Sequence, residues 1–157
     1  MARLRCRPVR ITAQLKMNTF NVDLERGIKI EQQVWMLLQR KYPCAVIVNA
    51  FKGYDIWIPE INKGVEVKYD PMSNQTGNIV IEVWMYDKPS ALLSTTADFW
   101  VFYDDNQFVS ITPKKIIECI MLNGIGLKTF IGKGDIVSKK AYLVPKELLF
   151  SYGNVLQ

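Results

Sequence analysis

The chain has 157 residues, of which 49% are hydrophobic and 22% are charged, a composition typical of one globular domain with its own core. It contains no histidine, which excludes Ser-His-Asp hydrolysis, histidine-based nucleases and zinc sites with imidazole ligands. No run approaches the roughly 18–20 apolar residues of a transmembrane helix, and the N-terminus lacks the apolar core of a signal peptide. We therefore expect a cytoplasmic protein with no membrane partner.

The net charge of +5 is unevenly distributed along the chain. Residues 1–16 contain five basic residues and no acidic one, whereas residues 17–157 contain 15 of each. The five basic residues are Arg3, Arg5, Arg7, Arg10 and Lys16. Residues 1–16 are either a basic arm that neutralises nucleic-acid phosphates or an extension upstream of a natural start at Met17. We assign residues 17–157 to a single domain.

The three cysteines, Cys6, Cys44 and Cys119, are far apart and show no Cys-x-x-Cys spacing. This pattern argues against both a disulfide framework and a structural zinc site. We expect reduced thiols.

The first half of the chain predicts a helix followed by short strands. The helix covers about residues 23–41 and ends before Pro43, and an apolar strand follows over residues 44–51. Two alternating apolar runs flank Asn62-Lys63-Gly64 and predict a β-hairpin. A polar loop over residues 71–77 then leads to a strand over residues 78–86, which we place next to the hairpin.

The second half continues with alternating strands and helices. A helical turn lies within residues 89–96, and a second hairpin joins residues 98–103 to 107–111. Thr112 is the expected N-cap of the next helix, with Pro113 at its first position and Gly124 beyond its end. A loop over residues 131–140, a short strand and a helix from about Pro145 complete the chain. This order predicts an α/β fold with a central mixed sheet flanked by helices.

The first hairpin concentrates charged residues on its strand faces. Side chains alternate along a strand, so Asp55 shares a face with Trp57, and Glu66 shares one with Lys68. If Asp55 pairs near Lys68 and Trp57 near Glu66, two carboxylates and an ammonium converge on one patch. Such oxygen ligands bind Mg²⁺ or Mn²⁺, and an adjacent lysine can orient water for attack on phosphorus.

Glu31 lies in the middle of the apolar stripe of the first helix when the helix is drawn at about 100° per residue. The stripe consists of Leu24, Gly27, Ile28, Val34, Trp35 and Leu38. Burying an unpaired carboxylate is costly, so Glu31 needs a cationic side chain or a metal as its partner. We interpret it as facing the hairpin carboxylates. Glu82, on the strand over residues 78–86, either supports the same site or faces solvent.

Asp55, the run Glu66-Val67-Lys68 and the upstream Glu31 together resemble the PD-(D/E)XK nuclease superfamily, and in particular small phage endonucleases similar to Holliday-junction resolvases. The resemblance covers about residues 25–103. One departure is Tyr54, which occupies the position before the motif aspartate where a proline is usual. The resemblance implies a restriction-endonuclease-like fold, hydrolysis of DNA phosphodiesters, branched or recombination-intermediate DNA as substrate, and a phage or bacterial intracellular location.

The resemblance also implies roles for individual residues. Asp55, Glu66 and the Val67 carbonyl would hold Mg²⁺ (or Mn²⁺), and Glu31 would be a direct or water-bridged ligand. Lys68 would position or deprotonate the attacking water, which makes Asp55, Glu66, Lys68 and Glu31 the expected catalytic set, with Glu82 as a possible accessory. The candidate DNA contacts are Arg3, Arg5, Arg7, Arg10, Lys52, Lys133, Lys139 and Lys140.

Symmetric cutting of a four-way junction needs two active sites, so we expect a homodimer. The alternative function is a catalytically silent nucleic-acid-binding or assembly protein with a nuclease-like fold. A glycosidase that uses paired carboxylates is disfavoured because Lys68 beside Glu66 suits phosphate better than sugar.

Overall fold

A computed structural model of the protein describes residues 21–131 and 136–157. The predicted basic arm over residues 1–16, with Arg3, Arg5, Arg7 and Arg10, lies outside these ranges, and so does Lys133. The protein is a mixed α/β structure with four α-helices, one short 3-10 turn and ten strands within the described residues. The helices are α1 Asn21–Gln39, α2 Ser73–Thr76, α3 Pro113–Leu122 and α4 Lys146–Phe150.

The ten strands form two sheets. The first is mixed, has six strands in the order β1-β2-β3-β6-β7-β10, and contains one parallel pair, β3–β6. The second is antiparallel, with four strands in the order β5-β4-β9-β8. The strands are β1 Val46–Ile47, β2 Ile56–Ile58, β3 Lys63–Tyr69, β4 Asn78–Met85, β5 Lys88–Pro89, β6 Phe99–Tyr103, β7 Phe108–Ile111, β8 Leu127–Phe130, β9 Lys139–Pro145 and β10 Asn154–Val155.

Helix α1 confirms the first predicted helix, although both ends lie two residues earlier than expected. The chain turns out of the helix before Pro43, where Tyr42 N donates to Leu38 O over 2.8 Å. Trp35 Nε1 then donates to Ala45 O over 2.7 Å and holds the following segment against the helix. The predicted strand over residues 44–51 is wrong in its length, because only Val46–Ile47 pairs with β2.

The predicted hairpin exists, but its expected register was wrong by two residues. Ile56 lies opposite Val65 and Trp57 lies opposite Gly64. The turn occupies residues 59–62 instead of Asn62-Lys63-Gly64, and Asn62 has a φ of 55°, a conformation that asparagine tolerates. A shift of two residues keeps every side chain on its expected face, so Asp55 still lies beside Glu66.

The second sheet corrects the prediction of one central sheet. β3 is flanked by β2 and β6, and β4 pairs with β5 and β9, so the strand that carries Glu82 is not a neighbour of the hairpin. Strands β5, β8 and β10 were not predicted. The predicted second hairpin is confirmed as β6–β7, and Thr112 caps α3 by accepting a hydrogen bond from Lys115 N.

Two hydrophobic clusters lie on opposite faces of the first sheet. Val65 of β3 and Val101 of β6 pack in one cluster with Val34 of α1. Trp100 and Phe102, which alternate with Val101, pack in the other cluster with residues of the second sheet and of α3 and α4. The first sheet is therefore the middle layer, and the alternating residues Glu66 and Lys68 lie on its second-sheet side.

A buried ion pair joins the first sheet to the helix that follows the second sheet. Asp104, in the β6–β7 turn, is 2% exposed, and its Oδ2 accepts from Lys146 Nζ of α4 over 2.9 Å. The backbone N–H groups of Asn106 and Gln107 donate to Asp104 Oδ1, each over 3.0 Å. Burial raises the pKa of Asp104, but Lys146 and the two N–H groups outweigh it and lower the pKa below its usual value.

Cys119 is a buried free thiol, as expected. Cys44 is disulfide-bonded, so the expectation of a reduced thiol is wrong for that residue. Within residues 21–131 and 136–157, every helix is too short or too polar to cross a lipid bilayer.

Candidate functional site

Asp55 is held against β3 by two hydrogen bonds. Its backbone N–H donates to Val65 O over 2.9 Å, and its Oδ2 accepts from Val67 N over 2.7 Å. Burial raises the pKa of Asp55, the Val67 hydrogen bond lowers it, Glu66 raises it and Lys68 lowers it, with a net increase above the usual value. The carboxylate is therefore fixed beside the segment Glu66-Val67-Lys68.

Glu66 and Lys68 form an ion pair on one face of β3. Lys68 Nζ lies 2.6 Å from Glu66 Oε1, and the two side chains are 35% and 23% exposed, respectively. The same ammonium lies 5.0 Å from the centroid of the Trp100 ring, and Trp100 Nε1 donates to Thr95 Oγ1 over 3.1 Å. Lys68 is thus held between a carboxylate and an aromatic ring whose own orientation is fixed.

Glu31 is half-buried on α1, on the side that faces the site. Burial raises its pKa most, and the carboxylates of Asp55 and Glu66 add to this, so the pKa of Glu31 reaches about 7. Ile30 and Val34 beside it are buried, at 8% and 0% exposure, whereas Leu24 at the predicted end of the stripe is 57% exposed. Among the ion pairs of the described residues, none involves Glu31. Glu31 is therefore electrostatically coupled to Asp55 and Glu66, although α1 packs on the face of the first sheet opposite to the one that carries Glu66 and Lys68.

The donor set of this cluster suits a hard divalent cation. Carboxylate and carbonyl oxygens are the ligands that Mg²⁺ and Mn²⁺ prefer. No three His, Cys, Asp or Glu side chains of residues 21–131 and 136–157 lie close enough together to hold a metal. Because Mg²⁺ usually retains several waters and takes only one or two carboxylates, Asp55 and Glu66 are the residues of this cluster that could hold it.

Glu82 lies across a cleft from Lys68. The cleft has a volume of about 300 Å³ and is lined by both residues and by Asp70. Glu82 Oε1 accepts from Ser90 Oγ over 2.7 Å, and Oε2 lies 3.5 Å from Lys139 Nζ. Glu82 is therefore partly buried, at 24% exposure, and ion-paired, and its role as an accessory to the site stays a prediction.

Among the described residues, the lysines predicted to contact DNA lie on two separate elements of the fold. Lys52 is exposed in the loop before β2. Lys139 is 23% exposed and pairs with Glu82, and the Lys140 ammonium lies 5.9 Å from the centroid of the Trp84 ring. Lys139 and Lys140 therefore belong to the second sheet, beside β4.

Two features beside the carboxylates were missed in the sequence. Trp100 lies beneath Lys68 because β3 and β6 pair in parallel, with Glu66 opposite Trp100, and this pairing has no local sequence signal. The second feature is a hollow lined by Arg26, Gly27, Tyr69 and Pro71. Its one sequence signal is a glycine in the interior of a predicted helix.

No family model matches the chain, and no curated protein sequence matches it either.

Proposed function

We propose that this protein is a metal-dependent DNA endonuclease that hydrolyses phosphodiester bonds, with Mg²⁺ or Mn²⁺ as its cofactor. The observation that carries the proposal is the position of Asp55, held by Val67 N, beside the Lys68–Glu66 pair on β3, and the raised pKa of Glu31 shows that it is coupled to the same two carboxylates. The same residues carry the resemblance to the PD-(D/E)XK superfamily. A helix followed by the β2–β3 hairpin and a parallel β6 is compatible with the restriction-endonuclease-like fold that the resemblance implies.

The electrostatics of the cluster favour a bound cation. The charged form of Glu31 is destabilised first by burial and then by the carboxylates of Asp55 and Glu66, and Lys68 is the ammonium that interacts with these two carboxylates. A phosphodiester would be repelled by this cluster unless a cation neutralised it. A divalent cation held by Asp55, Glu66 and the Val67 carbonyl, with Glu31 bound directly or through water, would neutralise developing charge and acidify water.

The chain's own residues would orient the reactants. Asp55 cannot swing away from β3, because Val67 N donates to its Oδ2. Lys68 is confined by Glu66 and the Trp100 ring, so its ammonium can donate a hydrogen bond to a non-bridging phosphate oxygen or to the attacking water. Such placement of a charged donor at the point where charge develops is the main contribution that a protein makes to phosphoryl-type transfer.

A second candidate function is a catalytically silent nucleic-acid-binding or assembly protein. It is favoured by the absence, among the described residues, of a three-ligand metal group and by the Lys68–Glu66 ion pair, which neutralises one of the carboxylates internally. Branched or recombination-intermediate DNA as substrate, and a homodimer, remain predictions under the first candidate.

The test is cleavage of labelled four-way junction, flap, duplex and single-stranded DNA with Mg²⁺, Mn²⁺ or EDTA. We expect metal-dependent cutting by the wild type and its loss in Lys68→Ala and Glu31→Ala. The matched control is Lys63→Ala, because Lys63 lies on the same strand and pairs with Asp98 over 3.1 Å at the strand's other end. Binding of DNA with no cutting under any condition would favour the silent protein, and equal loss of cutting in Lys63→Ala would remove the assigned role of Lys68.

A further inference from the structure

A hollow of about 370 Å³ lies between α1 and the end of β3, lined by Arg26, Gly27, Tyr69 and Pro71. Its volume is in the range of small-ligand sites, about 300–1,000 Å³. Gly27 precedes Glu31 by four residues, so the two lie on the same side of α1, about 6 Å apart along the axis. Tyr69 follows Val67 by two residues on β3. The hollow therefore lies on the α1 face of β3, on the same side of α1 as Glu31, whereas Glu66 and Lys68 lie on the other face of the same strand.

Neither the backbone conformation nor the packing of the described residues requires glycine at position 27. It lies in the interior of α1, where glycine destabilises a helix relative to alanine. A Cβ added to it would meet no atom of the described residues within 4 Å. No neighbouring group of those ranges would therefore clash with a side chain at this position. Because Gly27 has no side chain, the hollow stays open to a ligand that binds from solvent.

The groups that line the hollow suit a nucleotide. Arg26 is exposed and takes part in none of the ion pairs of the described residues, and its guanidinium can bind phosphate oxygens in a bidentate manner. The Tyr69 ring stacks on Tyr103 at a centroid distance of 5.7 Å, and its hydroxyl donates to Asp105 Oδ1 over 2.8 Å. These two contacts fix the ring.

The other side of Tyr69 has no strand beside it in the described ranges. β2 pairs with β3 only over Lys63–Val65, so β3 is flanked by β6 alone where it reaches Tyr69. A fixed aromatic ring with an open side is a platform on which a base or sugar can pack.

We propose that this hollow binds one nucleotide of the DNA strand next to the phosphodiester at the carboxylate cluster, with Arg26 on its phosphate and Tyr69 against its base or sugar. The inference rests on the proposed nuclease function for the position of the cleaved bond. Binding itself requires only the hollow.

The experiment measures the dissociation constant of a fluorescein-labelled four-way junction and of a short labelled single strand by anisotropy in EDTA, where no cleavage interferes. Gly27→Leu fills the hollow and should weaken binding about tenfold, the order of one lost stacking contact. Arg26→Ala should weaken it similarly and lower the slope of log Kd against log salt concentration by about 0.7–0.9, the value of one phosphate contact. Tyr69→Leu should weaken binding, whereas Tyr69→Phe keeps the ring and should not.

The controls are Lys29→Ala and Gln33→Leu, which change exposed residues elsewhere on α1 by the same types of substitution. Gly27→Ala is a folding control, and it should raise the melting temperature by about 2–4 °C. Unchanged binding in both Gly27→Leu and Arg26→Ala would overturn the proposal. Equal weakening in Lys29→Ala and Gln33→Leu would do so as well, because the effect would then not be specific to the hollow.

The outcomes separate this inference from the proposed function. If Lys68→Ala abolishes cleavage while the hollow variants bind normally, the nuclease function stands and the nucleotide site is refuted. If binding depends on Arg26 and Gly27 but the wild type cuts no DNA, the nucleotide site stands and the nuclease function fails. If the wild type binds neither DNA, both fail.

Discussion

Glu31→Gln should make the protein more stable at neutral pH when no divalent cation is present. Glu31 is half-buried and faces two other carboxylates, which together with burial raise its pKa from 4.5 to about 7. The folded state therefore holds this proton more tightly than the unfolded state. The resulting stability is fully present below about pH 4.5 and is lost as the pH rises through about 7. Glutamine cannot ionise, so the variant avoids that loss.

The size of the effect follows from the displaced pKa. At about 1.36 kcal/mol per pKa unit, a rise from 4.5 to about 7 corresponds to at most about 3 kcal/mol. Glu31 is only half-buried, and solvent screens part of the interaction, so we expect about 1–2 kcal/mol.

The assay is urea unfolding in EDTA, followed by tryptophan fluorescence, at several values between about pH 5 and about pH 8. The free energy of unfolding of the wild type should fall by about 1–2 kcal/mol more than that of Glu31→Gln over this range. Glu25→Gln, on the same helix, is the control and should follow the wild type. Parallel profiles for the wild type and Glu31→Gln would refute the placement of Glu31 against Asp55 and Glu66.

Three further predictions concern other parts of the molecule. Lys146→Met should lower the free energy of unfolding by about 3–5 kcal/mol, because it leaves Asp104 buried without its cation. Urea unfolding measures this change, and a loss below about 1 kcal/mol would show that the pair is solvated. Gly77→Ala should destabilise the folded protein by about 1–2 kcal/mol through backbone strain alone. Gly77 has a φ of 73°, and an added Cβ meets no described atom within 4 Å. An unchanged melting temperature in thermal unfolding would contradict this. Lys68→Arg should retain DNA binding in EDTA but reduce single-turnover cleavage about 10²-fold or more; cleavage at the wild-type rate would mean that only charge is needed there.

Elements with a local signal were predicted well from the sequence. Helix α1 follows from its apolar periodicity, and α3 from Thr112, Pro113 and Gly124 in the positions of a cap, a first residue and a stop. The register of the first hairpin was wrong because the Asn62-Lys63-Gly64 signal lies at one end of the turn, which occupies residues 59–62.

The second sheet was missed because its pairing is long-range. Asn78 pairs with Pro145, and no local pattern joins two segments so far apart in the chain. Strand β8 has three exposed residues of four, so it lacks the alternation by which a strand is recognised. The structure therefore has two sheets where the sequence predicts a single central one.

The residues of the candidate site were predicted from a different kind of signal. Asp55, Glu66 and Lys68 were selected by strand face, and a two-residue error in register leaves faces unchanged. Glu31 was predicted because it is a charged residue in the middle of an apolar stripe. That pattern depends on helix geometry alone. Trp100 beneath Lys68 was not found, because the parallel β3–β6 pair depends on tertiary structure. The roles of these residues remain predictions.

The Asp104–Lys146 pair has a consequence for the order of events on the ribosome. Lys146 is synthesised 42 residues after Asp104, a delay of about 2–8 s at about 5–20 residues per second. During that interval, closure of the first sheet over Asp104 would leave a buried carboxylate without a counter-charge. We expect the first sheet to stay open until α4 emerges, so a chain truncated at Pro145 should be degraded in the cell faster than the full chain. Completion of the nascent polypeptide and closure of the first sheet are thereby linked through the ammonium group of Lys146.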